Sequence, residues 1–350
     1  MTENSGFQKN TPDKAVAYWL FSGCVMIAII LIVGGLTRLH GAGLSIPDWD
    51  VFGSFPPVTE EQWDEAFDKY KQFPEYQELN RGMSMGEFQW IFWWEYIHRM
   101  LARLLGLMFI IPFAIFAWQK RFSAGDYGKL SAVFALGGLQ GLFGWYMVYS
   151  GLGDQPYVSH FWLAIHLGMA FLLFWMLLRF GLTKLQGFPP RAPASSLSFF
   201  TIGMIVLVYI QIIFGAFTAG LDAGYNYQTF PKMGNHWIPP EIGARADSLL
   251  EDLVTNSVSV QFIHRIIAYI LFFVGIAYWY RIYKNVTIPR IRTLAHTFLA
   301  LLMSQVLAGI LTLLTFPTLW LSSLHQFLAL VLFMVLILLE KNISMERERL

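Results

Sequence analysis

Eight apolar runs, each close to the length that crosses a bilayer, recur along the chain and leave few folds open to it. They lie near residues 16–37, 92–118, 129–150, 160–181, 197–219, 258–281, 293–314 and 318–339. A helix needs about 20 apolar residues to span the hydrocarbon core. Inside that core only helices and closed barrels satisfy every backbone N–H and C=O. The composition agrees: 56% of residues are hydrophobic and only 13% charged, about half the charged share of a soluble domain. The chain is expected to be an all-α integral membrane protein of eight transmembrane helices, with the lipid bilayer as its surroundings and no nucleic-acid partner.

The charges between the runs choose an orientation. Lys and Arg number fifteen in the N-terminus, the loops near 120, 184 and 287, and the C-terminus. The alternate loops hold six, counting Arg38, against sixteen Asp and Glu. Enrichment in Lys and Arg marks the cytoplasmic side, so both termini are expected there and the acidic loops at 40–91 and 220–257 outside. The N-terminus is polar, and the apolar run after it is too long for a signal-peptide core and lacks the Arg-rich character of a transit peptide. A bacterial inner membrane is the expected location. Cys24 is the only cysteine, which excludes an intrachain disulfide or a cysteine-based metal site.

The two halves align with each other. GGLTRLHGAGLS at 34–45 matches GAFTAGLDAGYN at 215–226 without a gap, and EYIHR at 95–99 matches QFIHR at 261–265. LQGLFG at 139–144 matches SQVLAG at 304–309, and LAIHLG at 163–168 falls on SSLHQF at 322–327. Each half therefore holds four spans, and an even number keeps both repeats in the same orientation. The expected architecture is two pseudo-twofold-related four-helix bundles, residues 1–185 and 186–350. The first outer loop is the longer. Within it Thr59 and Gln62 form a capping-box pattern, and Trp63, Phe67 and Tyr70 fall on one face of a short surface helix.

Four of the eight histidines follow the repeat: His98 with His264, and His166 with His325. Two histidines on separate helices of one bundle, at similar depth, can supply both axial ligands of a haem iron. A histidine in a membrane span can equally be a hydrogen-bonded helix contact, but a pair that occurs twice points to haem. His40, His160 and His236 read as loop or helix-end residues, and His296 as a polar contact at the cytoplasmic side.

EYIHRMLARLLG at 95–106 places unusual charge at the head of a span. At 100° per residue, Glu95, Arg99, Arg103 and Gly106 fall within about 80° of one another, with His98 about 60° to the other side. Ionised groups at mid-membrane cost roughly 2.5–3.5 kcal/mol each on insertion scales, so they pair with one another or with a ligand. Haem propionates would balance Arg99 or Arg103, with Gly106 letting a flat ring approach. The simpler alternative is a Glu95–Arg99 ion pair that stabilises the helix end.

GGLTRLHGAGLSIPDW, EFQWIFWWEYIHRMLARLLG, LQGLFGWYMVYSGL with VSHFWLAIHLG, and AGLDAGYNYQTFPKMGNHWIP together resemble the haem A synthase family. The resemblance runs from about 20 to 340, and lies with the Gram-negative and mitochondrial branch, which lacks an outer-loop cysteine pair. It implies an oxidoreductase that converts a methyl group of haem O to the formyl group of haem A for haem-copper terminal oxidases. Carried over by motif, His98 and His166 would flank substrate haem O, near Arg99 and Arg103. His264 and His325 would ligate a haem b cofactor, with Arg265 beside them. Glu95 would be the catalytic carboxylate. The implied partners are haem O, the synthase that makes it, the assembling oxidase, and an electron carrier.

The residues themselves divide the two halves. The second repeat keeps its histidines but replaces Glu95 by Gln261, Arg103 by Tyr269 and Gly106 by Phe272. One half thus keeps a titratable acid that can accept protons or position water, and the other does not. A diheme b-type cytochrome passing electrons from quinol would need the same histidines but no such acid, and a haem transporter or assembly chaperone would hold no haem tightly.

Overall fold

A computed structural model describes residues 12–48, 50, 53, 55–153, 156–187, 195–244 and 248–346. The polar segment through residue 11, Trp49, the centre of the loop after 184, and residues 347–350 lie outside the described residues. Among the described residues, eight helices are long and apolar enough to cross a membrane: α1 (Lys14–Leu39), α3 (Met85–Trp118), α4 (Ala124–Ser150), α5 (His160–Gln186), α6 (Ser196–Gly220), α8 (Ser257–Asn285), α9 (Pro289–Leu314) and α10 (Leu319–Met345). Two shorter helices, α2 (Glu60–Tyr70) and α7 (Leu249–Thr255), sit on the two long acidic loops.

Local signals set most helix ends. Thr59 accepts from the Gln62 backbone while the Gln62 side chain accepts from the Thr59 backbone, so the expected capping box starts α2. Ser84 and Glu87 form a second capping box, and α3 therefore begins at Met85 rather than near 92. Those added turns are not bare. Phe67 and Tyr70 of α2 stack on Phe88 of α3, with ring centroids 4.8 Å and 5.3 Å away. Trp63 meets Phe92 edge-on at 5.0 Å. The surface helix is thus a cap packed on the head of α3 and anchored by aromatic burial. Further along, α3 turns Ile97, Met100, Leu104, Leu107, Ile110 and Ile111 outward, as a helix bathed in lipid does.

In the first half α1 packs on α3 and α5, and α4 packs on α5. In the second half contacts close a ring: α6 on α8, α8 on α9, α9 on α10 and α10 on α6. The halves meet through α5 with α6, and α10 with α1 and α5. Most of the apolar core lies along these central helices, including Leu20, Phe171, Phe174, Phe298, Phe333 and Leu336. At the Lys/Arg-rich end, polar clasps join the helices. Arg179 Nε lies 2.8 Å from Glu340 Oε2, Lys184 Nζ donates to Asp126 Oδ2 at 2.6 Å, and buried Lys341 donates to the Gly187 carbonyl at 2.8 Å.

Candidate functional site: paired histidines beneath two latched loops

His98 lies on α3, His166 on α5, His264 on α8 and His325 on α10. His166, His264 and His325 come about two turns into their helices. His98 does not open its helix, as the sequence suggested: α3 starts thirteen residues earlier because the Ser84 capping box extends it. α8 and α10 stand at opposite corners of their ring, so His264 and His325 come from helices that face across its middle. The two histidines of each pair, His98 with His166 and His264 with His325, lie within electrostatic reach of each other.

The environment of these rings suits ligation of a porphyrin iron. The Nδ1 atoms of His98, His166 and His264 are buried; the ring of His98 sits at the Ile30 backbone carbonyl and that of His166 at the Gln140 carbonyl, while His264 Nδ1 has no such partner. His325 Nδ1 lies 3.1 Å from the Gln305 carbonyl oxygen. A carbonyl only accepts, so that nitrogen carries the proton and the lone pair stays on Nε2, the tautomer a metal-binding imidazole needs. Gln211 and Gln305 place their side-chain amide nitrogens 3.3 Å and 3.4 Å from Nε2 of His264 and His325; an amide nitrogen donates only, so these two amides meet the lone pairs an iron would take and would have to yield them to it. Gln140 and Gln211 also donate to the backbone carbonyls of His166 and His264, each at 3.0 Å. Three glutamines on the adjoining helices thus hold three of the histidines.

Above His98, the charged stripe of α3 grips the first loop. Glu95 is 3% exposed. Its Oε2 accepts from Ser45 N at 2.8 Å, Ser45 Oγ at 2.7 Å and Ile46 N at 3.1 Å, and its Oε1 pairs with Arg99 at 2.5 Å. Arg99 donates to the carbonyls of Ile46 and Asp48, both at 2.7 Å, and Arg103 to that of Asp50 at 2.5 Å. The ion pair weighed as the simpler alternative is therefore present, and it is one corner of a larger latch. Both guanidinium groups, expected at haem propionates, are engaged with loop carbonyls.

The second half repeats the latch with other chemistry. Arg265 donates to the carbonyls of Tyr227 at 2.6 Å and Thr229 at 2.7 Å. Tyr269 donates to that of Pro231 at 3.0 Å, and Gln261 to Tyr227 O at 3.0 Å. Continuing the register that pairs Gly34 with Gly215 pairs Ile46 with Tyr227, Asp48 with Thr229 and Asp50 with Pro231. Equivalent side chains thus hold equivalent carbonyls, and the repeat extends from the spans into their loops.

The chain matches the family model of the cytochrome oxidase assembly protein COX15-CtaA over residues 17–337. Similar proteins include "Heme A synthase" of Nitrosospira multiformis, 41% identical over 332 residues that cover 93% of this chain and 92% of that one. The protein of the same name from Parvibaculum lavamentivorans is 40% identical over 320 residues, 91% of each chain. That from Rhodospirillum centenum is 41% identical over 321 residues, 91% of this chain and 86% of its own. This chain belongs to the COX15-CtaA family.

In this COX15-CtaA chain the remaining histidines take ordinary places. His40 caps α1 and stacks on Trp94 at 5.1 Å, His160 lies 3.0 Å from the Val254 carbonyl, His236 pairs backbone to backbone with Met233, and His296 accepts from Trp279 at 3.1 Å. Among the described residues, no atom lies within 4 Å of a Cβ built on Gly106. Sequence reasoning missed Ser45, Gln140, Gln211 and Gln305. Gln140 and Gln305 do stand at matched positions of the aligned LQGLFG and SQVLAG segments, a readable signal. Ser45 and Gln211 face residues without a like side chain, Asn226 and Ile30, so comparing the halves passes over them.

Proposed function

We propose that the chain is a haem A synthase, an oxidoreductase that converts a methyl group of haem O to the formyl group of haem A. Relatives of that name, matched across about nine-tenths of the chain, carry this reading. A diheme b-type cytochrome is not favoured, since none of the similar proteins named above is one.

The finer assignment follows the division between the halves. His98 and His166 hold substrate haem O in an N-terminal bundle, residues 1–185. His264 and His325 hold haem b in a C-terminal bundle, residues 186–350. Haem b, when bound, supplies one-electron transfer. Converting a methyl to a formyl group removes four electrons in all and releases protons, for which Glu95 is the acceptor in the first half. Its counterpart Gln261 cannot take that role. The Ser45 and Ile46 donors hold the carboxylate in place, and Arg99 balances its charge. Arg99, Arg103 and Arg265 fasten the loops over the haem edges, and the buried Arg265 Nε–H is the donor left for a propionate. The enzyme sits in the bacterial inner membrane with both termini cytoplasmic, receives haem O from the synthase that makes it, exchanges electrons with a separate carrier, and passes haem A to assembling haem-copper oxidases.

Expression in a host that makes haem O but not haem A tests the activity, with mass analysis of the extracted haem. Appearance of haem A supports the reading, and its absence while the protein accumulates with bound haem overturns it.

A further inference from the structure

Each of the four repeated histidines has its ring edge against a glycine of the preceding membrane helix. A Cβ built on Gly34 of α1 would lie 2.7 Å from Cε1 of His98, and one on Gly144 of α4 would lie 2.9 Å from Cε1 of His166. On Gly309 of α9 it would lie 2.9 Å from Cε1 of His325, and on Gly215 of α6 3.4 Å from Cε1 of His264. In all four cases the nearest atom is the same one, the carbon between the two ring nitrogens. Other glycines on α4 and α6, such as Gly137, Gly141 and Gly203, meet nothing within 4 Å among the described residues.

We propose that Gly34, Gly144, Gly215 and Gly309 are positioning residues that seat the four imidazoles and set the direction of their Nε2 lone pairs toward haem iron. This rests on the ligand assignment proposed above. Contact at Cε1 controls both nitrogens at once: a methyl there must push the whole ring edge away from the helix, which swings Nε2 off its axis. One turn before three of these glycines stand Gln140, Gln211 and Gln305, which hold the same histidines by hydrogen bonds. Each seat is thus a glycine under the ring; at His166 and His264 a glutamine also holds the backbone of the histidine helix, and at His325 the Gln305 carbonyl holds the ring itself. The seats differ in tightness. Those at 2.7–2.9 Å admit no methyl without movement, whereas the 3.4 Å seat of Gly215 lies at the edge of ordinary contact.

The full-length protein, purified in detergent from cells supplying haem b, gives the test through its haem-to-protein ratio and the low-spin EPR spectrum of the haem. In Gly309→Ala the retained haem should fall about tenfold, the ratio carried by overpacking of one methyl. Gly215→Ala should accumulate and keep its haem with shifted g values, because that ring need yield only slightly. Gly203→Ala, on the same helix as Gly215, should match the wild type. Wild-type haem content and g values in Gly309→Ala overturn the proposal. Should Gly309→Ala fail to accumulate, unmoved g values in Gly215→Ala overturn it instead. Full haem retention in both His264→Ala and His325→Ala would strike the ligand assignment itself, a result distinct from any glycine outcome.

Discussion

Arg99 on α3 and Arg265 on α8 donate to backbone carbonyls at equivalent places in two loops that share little sequence. Arg99 takes those of Ile46 and Asp48, and Arg265 those of Tyr227 and Thr229. A guanidinium with five donors in a plane can hold two successive turns of irregular chain at once. Arg265→Ala leaves these carbonyls without their charged donor and should loosen the segment 227–232 by at least about 2 kcal/mol. Limited proteolysis of that loop should speed up by tenfold or so, since cleavage follows the population of the open loop. Arg265→Lys, with a point charge in place of the fork, should fall between the two. Unchanged cleavage in Arg265→Ala would remove the latch role.

Replacing His264 or His325 should eliminate the b-type absorbance of the purified protein, because each leaves the iron with a single imidazole. The protein should still accumulate, as neither residue as a whole is fully buried and neither change adds bulk to a helix contact. Retention of the full spectrum in both variants contradicts the assignment.

Glu95→Gln separates charge from shape. Gln keeps an acceptor oxygen for Ser45 and Ile46 but loses the ion pair with Arg99 and the capacity to take a proton. The variant should accumulate, retain haem b, bind haem O and yield little haem A. Ser45→Ala is its companion, removing one of three donors to Oε2 at a cost of about 1 kcal/mol while leaving the carboxylate. If Glu95 is the proton acceptor, Ser45→Ala keeps most activity. Equal loss of haem A output in both variants would instead make Glu95 a holder of the loop.

The cap on the head of α3 should respond to pH. Burial pushes the Glu75 carboxyl up to about 7 from an ordinary 4.5; the Tyr70 hydroxyl, donating at 2.9 Å, opposes that rise and the charge of Glu95 adds to it. Folding therefore favours the protonated acid. The stabilisation is full below the unfolded value and is lost as pH rises through about 7, a change of about 3 kcal/mol for the cap. Proteolysis between residues 55 and 84, calibrated on an unfolded peptide, should be faster at pH 8 than at pH 5. Glu75→Gln should abolish that difference, and a persisting difference would assign it to another group.

The positive-inside reading places the C-terminus in the cytoplasm. A reporter fused after residue 350 that is active only in the cytoplasm should therefore be active. A periplasmic C-terminus would invert every statement about which side the loops and Glu95 face.

The eight spans, the capped surface helix over 60–70 and the repeated histidines were all legible in the chain, because each is written in local order: hydropathy over about 20 residues, a Thr59–Gln62 spacing, one motif occurring twice. The early start of α3 was legible too, in Ser84 and Glu87, but residues 85–91 mix polar and aromatic side chains and so fall outside the apolar run. What Arg99, Arg103 and Arg265 hold was not legible, nor was the engagement of Glu95 with Ser45 and Ile46. A charged side chain at a helix head can meet a ligand, a neighbour or a carbonyl, and its sequence position is the same in every case. Only the path of the loops folding back over the helices brings those carbonyls within 3 Å. The glycine seats divide along the same line: their recurrence is in the sequence, but that they lie beneath the histidines is a matter of how α1, α4, α6 and α9 pack on their neighbours.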